Sequence, residues 1–224
     1  MYRAAIYWVP ADSDPLWDLG CAWLGRDPRS NAALPQPTFA NLADITASPR
    51  RYGFHATLRP PMHLATSLAQ LQSAVAKLAA AVPDFSLPDL QISIVDGFLA
   101  LTLSAPCPHL HALSDAIILA TDPHRAPPSA QEIARRRQAK LTAQEEIYLA
   151  AHGYPYVRDC WQFHMTLGRR LAPEQQTILL DAATCHFPAE ILHYPRTAGA
   201  ISLFVEPHPN TDLILTQDFP LQHT

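Results

Sequence analysis

Charge is scarce in this chain: Asp, Glu, Lys and Arg make up 16% of its 224 residues, and the net charge is −4. A strong electrostatic grip on long nucleic acid needs many cations along one surface, so that partner class is not expected. No apolar run approaches the roughly 18 residues that a membrane span requires, so no membrane partner is expected either. The opening stretch, Met1 to Pro10, lacks the apolar core and cleavage pattern of a signal peptide and reads as an edge strand. A cytoplasmic location follows as the expectation. The four cysteines, at positions 21, 107, 160 and 185, form no Cys-x-x-Cys pair, which leaves a zinc ribbon or thioredoxin-type motif without support. Reduced, mostly buried thiols are expected. Cys107, His109 and His111 alternate as strand-borne metal ligands would. However, Pro106 and Pro108 break a strand and His109 onward reads as a helix start, so no metal is assigned there.

What is present is apolar. Hydrophobic residues reach 48%, enough in 224 residues for a sizeable core within a single domain. The 22 prolines mark element boundaries without defining a disordered linker.

Two short strings are near copies of each other: Phe54-His55-Ala56-Thr57-Leu58 and Phe163-His164-Met165-Thr166-Leu167. In a β-strand, residues i and i+2 point to the same face. His55 and Thr57 therefore share one face, opposite Phe54, Ala56 and Leu58. His164 and Thr166 share a face in the same way. Chance supplies about 0.7 His-x-Thr triplets in a chain of this composition, so the triplets alone mean little. The flanking Phe and Leu and the apolar middle residue make the double occurrence a signal.

The likeness extends past the motifs. Ile92-Ser93-Ile94-Val95 is echoed by Ile201-Ser202-Leu203-Phe204 at the same 109-residue offset that separates His55 from His164. Each motif is followed by a helical pattern, about Thr66 to Val82 and about Ala172 to Thr184. Each echo is followed by another apolar run, Phe98 to Leu103 and Leu213 to Thr216. The internal repeat thus spans 54–103 and 163–216. It predicts an α+β fold over residues 1–224: two pseudo-symmetric lobes, each with an antiparallel sheet and helices, around a central groove that brings the motifs together. Between the halves, Ser129-x-x-Glu132 and Thr142-x-x-Glu145 read as capping boxes and mark a helical insert at about 129–152, placed to cover one end of the groove. Arg135, Arg136 and Arg137 lie on its first helix, read mainly as a solvated face, with one of them in reach of a phosphate. Nearer the N-terminus, Asp14 and Pro15 open another helix. Residues 25–50 show little periodicity and read as a long loop, either a lid or a packed surface segment.

The paired motifs resemble those of the two-histidine (2H) phosphoesterase superfamily, which contains RNA 2′,3′-cyclic phosphodiesterases and RNA ligase-like cyclases. The run Arg51-Tyr52-Gly53-Phe54-His55-Ala56-Thr57-Leu58-Arg59-Pro60-Pro61 is similar to a branch found near phosphonate-metabolism genes. So is Gly153-Tyr154-Pro155-Tyr156-Val157 ahead of the second motif. The resemblance implies a phosphoric diester hydrolase acting on a small cyclic phosphate, with a cyclic ribosyl phosphate as one candidate. One departure is visible: Gly168 stands where the first copy has Arg59.

The residue types suit that chemistry. Cleaving a phosphodiester needs a base for the attacking oxygen and an acid for the leaving oxygen, and two histidines near their ordinary pKa of about 6.5 supply both. His55 and His164 are the catalytic candidates. The Thr57 and Thr166 hydroxyls are placed to hold non-bridging phosphate oxygens. Arg59 has the parity of His55 and Thr57 and is the expected cationic phosphate contact. Tyr52, Tyr154 and Tyr156 are candidates to hold a base or sugar ring, with packing as the competing role. The scheme calls for no metal or other cofactor. The expected partner is a small phosphorylated substrate. An RNA end, or a non-catalytic module that binds nucleotides or phosphorylated metabolites, remains the alternative.

Overall fold

The computed structural model describes residues 3–223, so Met1 and Tyr2 of the expected first strand lie outside the described residues. Along the chain come β1 (Arg3–Trp8), α1 (Pro15–Leu24), β2 (Arg26–Asp27), β3 (Ala32–Ala33), α2 (Leu42–Tyr52), β4 (Ala56–Met62) and α3 (Leu68–Ala79). Then follow β5 (Phe85–Leu87), β6 (Leu90–Val95), β7 (Phe98–Leu103), α4 (Pro108–Thr121), α5 (Ala130–Arg137) and α6 (Ala143–His152). The last part holds β8 (Met165–Thr166), α7 (Pro173–His186), α8 (Ala189–Leu192), β9 (Arg196–Ala198), β10 (Ala200–Glu206) and β11 (Ile214–Pro220).

The fold is α+β. Seven strands form one antiparallel sheet in the order β11-β10-β1-β4-β8-β7-β6. The two halves share this sheet and interleave in it: β4 of the first half lies on the side of β10 and β11, β8 of the second lies beside β7 and β6, and the two motif strands meet at the seam between β4 and β8. Strands β6 and β10, which carry the echoed tetrapeptides, each lie third from the seam on opposite sides. The short strands β5 and β9 precede them and pair with each other. Helix α3 packs against β10 and β11, and α7 packs across β6 and β7. The last strands do not correspond. On one side β7 sits next to the motif strand; on the other, that place is taken by β1, and β11 lies outside β10 as an extra edge.

Strand β1 is thus interior, not an edge: it is paired on both sides, by β10 and β4. Its run Ala4 to Trp8 is almost wholly buried, as a near-continuous apolar strand should be. Phe54, Ala56, Leu58, Met165 and Leu167 are likewise buried in the core. The indole of Trp23 on α1 donates to the Leu167 carbonyl at 2.7 Å and fastens the second motif to that core.

Part of the expected 25–50 loop is helix α2. Its buried residues, Leu42, Ile45, Thr46 and Pro49, have helical spacing, but Thr and Pro fill two of the four positions and dilute the apolar signal. Pro49 has no N–H to give the Ile45 carbonyl, as a helical residue would. That carbonyl instead accepts from the Arg169 amide at 2.9 Å. Gly168 lies at this junction, where a Cβ would come within 2.8 Å of Ile45 Cγ2. The close seating of α2 gives a physical reason for glycine where the first copy has Arg59.

The insert forms α5 and α6, each opened by its capping box at Ser129 and Thr142. Pro108 starts α4, so His109 and His111 turn to different neighbours, the rings of Phe85 and Trp161. Among the described residues, no three His, Cys, Asp or Glu side chains gather as metal ligands would. No helix among them is long and apolar enough to cross a membrane.

Candidate active site

The register of the seam arranges the motifs. Ala56 on β4 pairs with Met165 on β8, antiparallel. Continued by one residue each way, this register sets His55 across from Thr166 and Thr57 across from His164. The four polar side chains then occupy the corners of one patch on one face, with the histidines at opposite corners. Diagonal neighbours in an antiparallel pair lie roughly 7–8 Å apart. Groups of about that separation flank a single phosphate. Trp161 donates its indole N–H to the Thr57 carbonyl at 2.9 Å and secures the strand beside the seam.

Both imidazoles are held in the same way. His55 Nδ1 lies 2.9 Å from the Gly53 carbonyl, and His164 Nδ1 lies 3.0 Å from the Gln162 carbonyl, in each case two residues back. A carbonyl only accepts, so each Nδ1 carries a proton and each neutral ring keeps its lone pair on Nε2. His55 Nε2 accepts from the Thr57 hydroxyl at 3.2 Å. Gly53 ends α2 at φ 81°, a left-handed backbone suited to glycine, and a Cβ there would meet Pro28 at 2.8 Å.

The two rings differ in surroundings. Tyr7 stacks on His55 with ring centroids 3.7 Å apart. Burial pulls the His55 pKa down to about 4, against the favourable Gly53 bond, and nearby His164 lowers it further. His164 meets Phe98 edge-on at 5.7 Å. Its pKa is also lowered by burial, with the Gln162 bond and nearby Asp96 opposing the shift. Neither ring therefore has the ordinary histidine pKa expected from sequence, and burial shifts both toward the neutral form.

Two adjoining cavities lie over the patch. One, of about 510 Å³, is lined by His55, Thr57 and Thr166 together with Tyr52 and Tyr154. The other, of about 230 Å³, is lined by His164, Thr57 and Tyr156. They share Thr57, Phe98, Tyr154 and Arg170, so they form two ends of one groove. Helix α2 contributes Ser48, Pro49 and Tyr52 to the wall, and α5 contributes Arg135 and Arg136.

Arg59 lines neither of these cavities. Thr57 pairs with Tyr7 of β1, but Arg59 pairs with Ile6, one step out of alternation. This β-bulge puts Arg59 on the face opposite Thr57. Its side chain is fully buried and ion-paired with Asp122 at 3.0 Å. Burial draws its pKa down to about 10, with Asp122 opposing. The expected phosphate contact is therefore a core residue. The arginines that do face the larger cavity are Arg3, Arg135, Arg136, Arg169 and Arg170. Arg3 and Arg51 both pair with the fully buried Glu206. Three consecutive arginines cover most of a helical turn, so the sequence does not say which of Arg135, Arg136 and Arg137 face the groove, and Arg169 and Arg170 lie past the stretch that matches the first motif.

A family model described as "Protein of unknown function (DUF1045)" matches residues 57–214. A protein named ribose 1,5-bisphosphate phosphokinase PhnN, from Janthinobacterium sp. (strain Marseille), is 32% identical over 98% of this chain and 51% of its own length. Its namesake from Laribacter hongkongensis (strain HLHK9) is 35% identical over 92% of this chain and 48% of its own length. The chain spans about half the length of these curated relatives. Among solved structures, the crystal structure of a phosphoesterase aligns over 99% of this chain and 98% of its own, with 12% identity and TM-score 0.48. E. coli LigT complexed with 3′-AMP aligns over the same shares, with 12% identity and TM-score 0.47.

Proposed function

We propose that this chain, which belongs to the DUF1045 family, hydrolyses a small cyclic phosphodiester, with His55 as general base and His164 as general acid. The observation that carries the reading is the seam: two His-x-Thr triplets aligned antiparallel on one groove, with each Nδ1 tied to a carbonyl and each Nε2 left to exchange a proton. Water attacks phosphorus, and His55 Nε2 takes its proton as the new P–O bond forms. The ring P–O bond breaks, and His164 Nε2–H gives its proton to the departing sugar oxygen. The product is a ring-opened phosphomonoester. Attack and departure lie in line across phosphorus, which the diagonal placement of the two rings suits. The Thr57 and Thr166 hydroxyls donate to the non-bridging oxygens as charge builds on them. When Thr57 turns to the phosphate, it frees His55 Nε2.

The ring environments support the division of roles. A histidine with a pKa of about 4 stays neutral and serves as base. His164 has Asp96 nearby to favour its cation, and an entering phosphate adds to that effect.

The two relatives are named for a kinase, but a P-loop needs Gly followed by Lys, and none of the seven glycines here precedes Lys. Their name does point to a phosphorylated ribose. A hydrolase that opens a cyclic ribosyl phosphate acts on phosphate esters of the same sugar, which fits the resemblance to the branch near phosphonate metabolism. The test is a turnover screen over cyclic ribosyl phosphates, cyclic nucleotides and RNA ends, with and without chelator. A cyclic ribosyl phosphate should be opened by the wild type and by neither His55→Ala nor His164→Ala. Full turnover in either variant, or tight nucleotide binding with no product, would overturn the proposal.

A further inference from the structure

We infer that the groove contains a second anion subsite, formed by Arg135 and Arg136 of α5, for a phosphomonoester borne by the same small substrate as the scissile ester. This inference rests on the phosphodiesterase reading of the groove. The first observation is charge. Five arginines line the larger cavity, and among the described residues no Asp or Glu does. Arg3 is engaged by Glu206. Arg135, Arg136, Arg169 and Arg170 make no ion pair among the described residues, in a protein whose net charge is −4. A cyclic phosphodiester carries a single negative charge. Four cations around one cavity are more than it needs, and they match a ligand with a second, more highly charged phosphate.

The second observation is that α5 is fixed in place and its arginines are aimed. Ser129 and Glu132 cap its start. Arg137 forks onto Glu146 at 2.9–3.1 Å and ties the helix to α6. Of the three consecutive arginines, that one is structural, and the other two turn to the groove. Arg136 lies over the Tyr154 ring at 4.6 Å, which positions the guanidinium without neutralising it. The third observation is placement. Of these two cavities Arg170 lines both, sharing the smaller with His164, whereas Arg135 and Arg136 line the larger one and, with Glu132, Pro60 and Pro61 at the far end of β4, a narrow recess next to it. Arg170 is thus placed for the scissile phosphate and the α5 pair for a distal one. Aromatic rings facing the larger cavity are already in contact with side chains: Tyr7 with His55, Phe98 with His164, Tyr52 with Arg51 and Tyr154 with Arg136. The groove is furnished for a second phosphate more than for a nucleobase.

The experiment compares ribose 1,2-cyclic phosphate with and without a 5-phosphate, at one ionic strength, on wild type and Arg135→Gln/Arg136→Gln. The 5-phosphate should raise wild-type kcat/KM on the order of 10²-fold, mainly through KM, and the variant should keep less than a tenth of that preference. Calorimetry with ribose 1,5-bisphosphate and ribose 5-phosphate runs in parallel and needs no turnover. The bisphosphate should bind wild type at least tenfold tighter, and the variant should lose that difference while its melting temperature stays unchanged. A preference near unity in wild type, or one retained by the variant, overturns the subsite. If neither cyclic ester is opened, the phosphodiesterase reading fails, and the calorimetric contrast alone then decides whether the subsite stands.

Discussion

His55 and His164 sit in near-identical pentapeptides, but one lies under the ring of Tyr7 and the other meets Phe98 edge-on, with Asp96 nearby. The backbone treats the two copies alike, tying each Nδ1 to the carbonyl two residues back. What differs is the packing around the rings. After the first motif a bulge turns Arg59 into the core; after the second, Gly168 admits α2. In the proposed mechanism the shared backbone geometry handles the protons, and the difference in packing is what separates a base from an acid.

The largest expected effect probes what the copies share. His55→Ala and His164→Ala should each lower kcat on the order of 10²–10⁴-fold, and the double variant should lose little more, because the rings act in one event. Steady-state kinetics on a cyclic ribosyl phosphate measures this. Next comes Arg59, where the copies differ most. Arg59→Ala leaves a buried space and breaks the pair with Asp122, and should cost on the order of 3 kcal/mol in urea unfolding. Phosphate affinity should not change, since the side chain faces away from the groove. Thr57→Val and Thr166→Val should each lower kcat by about tenfold, as each removes one neutral donor to the transition state. Gly168→Ala forces a Cβ against Ile45 and should cost about 1–2 kcal/mol, read as a lower melting temperature, from local overpacking.

The smallest effect is a displaced pH limb. In the free enzyme His55 must be neutral and His164 protonated. The rate should fall below about pH 4, as His55 gains a proton. It should also fall on the alkaline side, beginning below the ordinary histidine value of about 6.5, as His164 loses its proton. Asp96 favours the His164 cation, so Asp96→Asn should move the alkaline limb to lower pH and leave the acid limb in place. A pH profile of kcat/KM shows both limbs.

How far the sequence reaches differs by feature. The motif faces follow from strand alternation, and the tetrapeptides 109 residues apart fall on β6 and β10, each third from the seam. The insert was readable because two capping boxes are local signals. Alternation failed at Arg59 because a bulge is set by pairing with β1, far away in sequence. Helix α2 was obscured because Pro49 marks a docking point with Arg169, a tertiary contact. The arginines of the groove could not be sorted from sequence, since which ones meet carboxylates depends on the packing of α5, α6 and β10.

The division of labour between the copies is tested most directly with a p-nitrophenyl phosphodiester, whose leaving group departs without a proton. Rates of His55→Ala and His164→Ala are measured on this ester and on the cyclic ribosyl ester. His164→Ala should recover to within about tenfold of wild type on the aryl ester, because general acid catalysis is no longer needed, whereas His55→Ala should remain impaired on both. Recovery of His55→Ala instead, or equal impairment of the two variants on both esters, would contradict the account.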